Sequence, residues 1–226
     1  MKRVFNVYKP LIKLVGKTLG RYLEASAFDD NKVRIKITGI KYEEATVDSD
    51  KYGNFEEMVK DYINITQGVL TRIKINEKEI PLTYYDEIKD AFFEGGEEIE
   101  LEFSSRDSVL LTLINQSYEY IKKVRENLEN VSQEILLNTP EGHNLLNSIA
   151  EGMQALLDIL EQTRIYIGIN FYESEDLEAI QNIISKLIDA QKNEDFLELS
   201  DIIGSEFEKI LDIFENLLDK AYNILQ

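Results

Sequence analysis

A single histidine and the absence of cysteine limit the chemistry available to this 226-residue chain. His143 stands one turn into a predicted helix beside Glu141 and Asn144 and is the one imidazole that could serve as a base or ligand. Alone it cannot build a His-rich metal site, and a di-metal carboxylate bundle would need a Glu and a His three apart on each of two helices. It reads as an exposed or capping residue. Asp201 and Glu206 accompany an apolar stripe and offer two carboxylates, as acid–base chemistry or a metal requires. Five residues apart, they are expected to diverge around a helix. Glu94, Glu97 and Glu98 flank two glycines and read as a solvated turn. Gly16, Lys17 and Thr18 match the end of a phosphate-binding loop, but the position of its earlier glycine holds Leu11. No catalytic residue, metal ligand or cofactor site is assigned.

Side chains suited to contact with a partner are more prominent. Twelve tyrosines occur without a tryptophan, and tyrosine favours surfaces that are both apolar and wet. Tyr84 with Tyr85, Tyr118 with Tyr120, and Tyr166 with Tyr172 are the candidates. Neighbouring rings cannot all enter one core, so these are expected to seal a seam between domains or to face a partner. Lys13, Lys17 and Arg21 repeat along one face of an N-terminal segment whose other face carries Ile12, Val15, Leu19 and Tyr22. This basic amphipathic arm is expected to dock on the rest of the chain or to reach a membrane surface or an acidic partner.

The net charge of −18 argues against nucleic acid as the main partner. Six of the 25 basic residues precede the first acidic one, Glu24, which leaves 19 against 43 acidic residues, a net of −24 from Glu24 onward. An apolar content of 43% is enough for a core, and no apolar run approaches the roughly 18 residues of a membrane span. With no cysteine and no secretory leader, the expectation is a cytoplasmic protein.

The elements that must position these residues follow from periodicity. Over residues 32–104 the apolar period is two: Val33, Ile35 and Ile37; then Val69, Thr71, Ile73 and Ile75; then Ile99, Leu101 and Phe103. A second strand is predicted around Tyr42 to Val47, a helix capped by Asn54, and a short helix from Thr83 to Phe93. If the last strand lies between the first and third, Glu98, Glu100 and Glu102 face Arg34 and Lys36 on one side and Arg72 and Lys74 on the other. That order is β-grasp-like. Residues 105–226 carry apolar residues at three- and four-residue spacing in four segments. Capping signals stand at Ser104 with Asp107, at Thr139 with Pro140, at Ser174 and at Asp195 with Glu198. The expected fold is α+β: a basic arm over 1–31, a β-grasp-like module over 32–104, and an antiparallel four-helix bundle over 105–226.

The strand Val69 to Ile75 with the following Asn76 to Ile80, and the segment Asn193 to Phe207, resemble stretches of uncharacterised bacterial proteins that pair a small β-grasp-like α+β module with a C-terminal helical bundle. The resemblance spans residues 32–226 and implies an architecture, not an activity. Where those proteins often carry larger residues, this chain has Gly204 and Ser205, implying closer helix packing there. The expected function is a non-enzymatic adaptor or chaperone-like protein that binds another protein, with a second copy of the chain as a further candidate partner. The alternatives are an enzyme using carboxylates, tyrosines and lysines in the inter-domain cleft, and a peripheral membrane or RNA binder acting through the arm.

Overall fold

The computed structural model describes residues 31–226. The basic segment, with Lys13, Lys17 and Arg21, lies outside the described residues. The chain divides into two compact units, one ending at Arg106 and the other comprising Asp107–Gln226.

The first unit is a five-stranded mixed sheet with a helix across one face. Its strands are β1 (Lys32–Gly39), β2 (Glu43–Asp48), β3 (Val69–Ile75), β4 (Lys78–Ile80) and β5 (Glu98–Ser104), in the order β2-β1-β5-β3-β4. Helix α1 (Phe55–Thr66) starts where the Asn54 side chain accepts from the Glu57 amide at 2.9 Å. Its Phe55, Met58, Val59 and Tyr62 pack on Val33, Ile35, Ile37, Ile73, Ile99, Leu101 and Phe103. Burying each such side chain stabilises by about 1.5–3 kcal/mol.

The opposite face carries charge in matched rows. β5 runs parallel to β1, placing Glu98 beside Arg34 and Glu100 beside Lys36. It runs antiparallel to β3, which sets Glu102 beside Arg72 and Glu100 beside Lys74. Arg34 pairs with Glu98, and Glu100 has Lys36 at 3.6 Å, Arg72 at 3.4 Å and Lys74 at 3.9 Å. Arg72 also meets Glu102 at 2.6 Å.

The sequence expectation fails in three places within this unit. The even alternation read through β3 is interrupted by a bulge between Leu70 and Arg72, so Leu70, not Thr71, joins the apolar face. The short edge strand β4 was not predicted; it follows a tight turn at Asn76 and Glu77, both with positive φ. The helix expected over Thr83 to Phe93 shrinks to a 3₁₀ turn (Leu82–Tyr84) and α2 (Tyr85–Ile88). Beyond it, the carbonyls of Lys89 and Ala91 accept from the first amides of α1, which holds the loop non-helical.

The second unit is helical. Its elements are α3 (Arg106–Leu136), α4 (Pro140–Ile167), α5 (Ser174–Lys192), α6 (Phe196–Asp201), a π segment (Ile202–Glu206) and α7 (Phe207–Leu225). The first predicted cap is displaced: Ser104 ends β5, and α3 begins two residues later. Thr139 caps α4 with Pro140 at its first turn, Gly168 closes it at φ 75°, and Glu173 with Asp176 forms a capping box on α5. The last helix, expected to be continuous, is divided in three. Ile121, Val131, Leu156, Ile180, Ile203 and Phe214 belong to one apolar core drawn from all of these segments.

Candidate interaction site

The far end of α3 is where the unit brings unusual features together. A tight connection joins α3 to α4 through Asn138 at φ 51° and the Thr139 cap. It depends on Gly142, because a Cβ there would stand 2.6 Å from the carbonyl carbon of Glu134. His143 Nε2 lies 2.8 Å from Asn138 Oδ1, and its ring meets Phe196 edge-on at 5.8 Å. The lone histidine therefore helps join the start of α4 to the start of α6.

The last helix approaches α3 through small residues. Ser132 Oγ lies 2.8 Å from Ser200 Oγ and donates to the Ser200 carbonyl at 3.0 Å. A Cβ on Gly204 would stand 3.1 Å from Ser132 Oγ. In the π segment the Phe207 amide donates to the Ile202 carbonyl, five residues back. This geometry narrows the angle by which Asp201 and Glu206 were expected to diverge. In a regular helix five residues advance about 140° beyond a full turn, and the wider π turn closes part of that angle. Both now line one surface depression of about 310 Å³.

Leu197 and Ile202 supply the apolar lining of that depression, and Asp195 and Glu198 complete its carboxylates. Lys186 on α5 lines it too, and both Glu206 oxygens accept from its Nζ, at 3.0 and 2.7 Å. That ammonium holds the Glu206 carboxyl below its ordinary pKa. Asp195 caps α6 by accepting from the Glu198 amide at 3.0 Å. Among the described residues, no cation pairs with Asp195, Glu198 or Asp201, and no group of three or more His, Cys, Asp or Glu is placed to hold a metal ion. At the same end, Leu137 is 70% exposed, Leu197 62% and Leu136 48%. A larger hollow of about 490 Å³ runs beside Thr112, Gln116, Tyr120 and Lys123. Among the described residues its lining comes from α3 alone.

The candidate tyrosines differ in setting within each unit. Tyr85 packs on the sheet core with its ring 6.3 Å from Phe55, while Tyr84 is exposed. Tyr118 donates to Asp219 at 2.6 Å, and burial together with that carboxylate pushes its phenol pKa up. Tyr120 lies across α4 where Gly152 makes room for its hydroxyl. Tyr172 packs on the helical core beside Phe171, and burial pushes its pKa up to about 12. Tyr166 is 40% exposed. The glutamates near Gly95 form a local anchor: the Glu97 carboxylate accepts from the amides of Glu94 at 2.7 Å and Gly95 at 2.9 Å.

The leucines of the far end escaped the sequence reading because single exposed leucines carry no signal. The π segment did leave one. Leu199, Ile203, Phe207 and Leu211 are all buried and spaced by four, a period too long for an uninterrupted α-helix.

A family model described as a domain of unknown function (DUF8042) matches residues 112–217. The match covers most of the helical unit, including the carboxylate-lined depression, and none of the sheet. No curated protein and no solved structure matches the chain. No helix among the described residues is long and apolar enough to cross a membrane.

Proposed function

We propose that this protein is a non-enzymatic adaptor or chaperone-like protein of the cytoplasm that binds another protein through the far end of its helical unit. The observation that carries the reading is the exposure of Leu197 in a depression lined chiefly by charged side chains, four of them carboxylates, with Leu136 and Leu137 also exposed at the end of α3. Exposed apolar side chains with a polar rim are the usual composition of a protein contact. Residues Asp107–Gln226 hold 8 basic and 23 acidic side chains, a net of −15, which keeps such a surface soluble and repels nucleic acid.

In the same reading the first unit is β-grasp-like, a compact module supported by its strand order and by α1 lying across one face. The second is a four-helix bundle whose last member is divided by the π segment.

The test is capture of partners by the full chain, compared with a Leu137→Glu, Leu197→Glu variant. Both positions are exposed, so folding should survive, and circular dichroism checks that it does. A protein retained by the native chain and lost from the variant is the expected result. An identical set on both chains, or only further copies of this chain, would remove the adaptor reading.

A further inference from the structure

We propose that the far end of the helical unit receives an amphipathic basic helix from a separate protein. Its apolar side would rest on Leu197 and its lysines or arginines would face Asp195, Glu198 and Asp201. This rests on the adaptor reading and adds the chemistry of the partner.

Charge decides the sign of the occupant. Glu206 is matched by Lys186, leaving three exposed carboxylates around an apolar lining. A cationic segment gains from all three, whereas a nucleic acid or an acidic peptide is repelled. A second copy docking through its own far end would set carboxylates against carboxylates, so this face does not suit a symmetric dimer.

Backbone chemistry decides the form of the occupant. Apart from the Asp195 cap, every residue lining the depression lies in a helix, whose interior amides and carbonyls bond along its own axis. Among the described residues no sheet edge lines the depression to pair an extended strand, so a bound strand would bury amides without partners. A helix arrives with its backbone already bonded and presents side chains alone. The spacing of Asp195, Glu198 and Asp201, three residues apart twice over, places their carboxylates about one helical turn apart. Basic residues at three- or four-residue spacing on the partner match that interval.

The experiment uses the full chain and a synthetic helix of leucine and lysine at three- and four-residue spacing, with a glutamate-for-lysine copy as its control. Saturable binding of the lysine peptide alone is expected. Leu197→Ser and the pair Glu198→Lys, Asp201→Lys should each weaken it at least about tenfold. Glu175→Lys with Glu178→Lys, at the opposite end of α5, should change it less than about twofold. Equal weakening by that control pair would show diffuse attraction to an acidic protein and overturn the proposal. So would binding of both peptides, or of neither. Binding that requires removal of residues 1–25 would assign the site to the chain's own basic segment and likewise overturn it. If captured partners still depend on Leu137 and Leu197 while the lysine peptide fails, the adaptor reading stands and the basic-helix occupant falls.

Discussion

Removing one residue from the π segment should be tolerated where the same removal about three turns later is not. In the segment Ile202–Glu206, one extra residue is accommodated in a turn without rotating the helix that follows. Deleting Ser205, which is exposed and donates only to the Asp201 carbonyl at 2.6 Å, lets the turn close as a regular α-helix. Leu199, Ile203, Phe207, Leu211 and Phe214 then follow at intervals of four, three, four and three, the ordinary pattern of a buried stripe. The expected cost is within about 1 kcal/mol, one exposed hydrogen bond against the recovery of regular geometry. Deleting Asn216, also exposed, instead rotates everything beyond it by about 100°. Leu217, Leu218 and Ala221, all at most 1% exposed, would turn out of the core. The two leucines alone represent about 3–6 kcal/mol, a large part of the 5–15 kcal/mol that typically holds a domain together. Urea denaturation followed by far-UV circular dichroism compares the two deletions. If loss of Ser205 unfolds the helical unit as readily as loss of Asn216, the π turn is not the point at which the extra residue is absorbed.

In the sheet, Glu100→Lys replaces an attraction to Lys36, Arg72 and Lys74 with repulsion from all three. At about 0.2–1 kcal/mol per cross-strand pair, protection of the β5 amides against hydrogen exchange should fall at low salt; unchanged protection would show that the ladder contributes nothing. Gly142→Ala forces a methyl against the backbone of Glu134 and should cost about 1–3 kcal/mol, lowering the melting temperature of the helical unit. Tyr52 and Tyr62, with pKa values raised to about 12 chiefly by burial, favour the folded state fully below pH 10, the ordinary tyrosine pKa. That contribution should be lost between pH 10 and about 12, read as late tyrosinate absorbance together with falling stability. Treatment with EDTA should leave the melting temperature unmoved, and a drop of many degrees would reveal a metal site.

Legibility tracked how many independent signals each feature left in the sequence. The order of the sheet was readable because three charged rows had to be reconciled at once. Only a central β5 sets Glu100 between Lys36 and Lys74. Asn54, Thr139 and Asp195 announced their helices because a cap combines a residue type with a break in periodicity. The bulge in β3 was not readable from alternation alone. Both Leu70 and Thr71 suit a strand, and the choice between them was made by Phe103 on the neighbouring strand. The site was misjudged for a related reason. Asp201 and Glu206 were separated by applying the angle of an ideal helix to a segment whose own apolar spacing already contradicted it. Four-residue steps from Leu199 to Leu211 drift by about 120° over three turns unless an extra residue is taken up. The core holds all four of these side chains, so the backbone yields instead, and in yielding it carries two carboxylates to the same depression. The demand for a continuous buried stripe thus shapes the polar surface on the opposite side of the same helix.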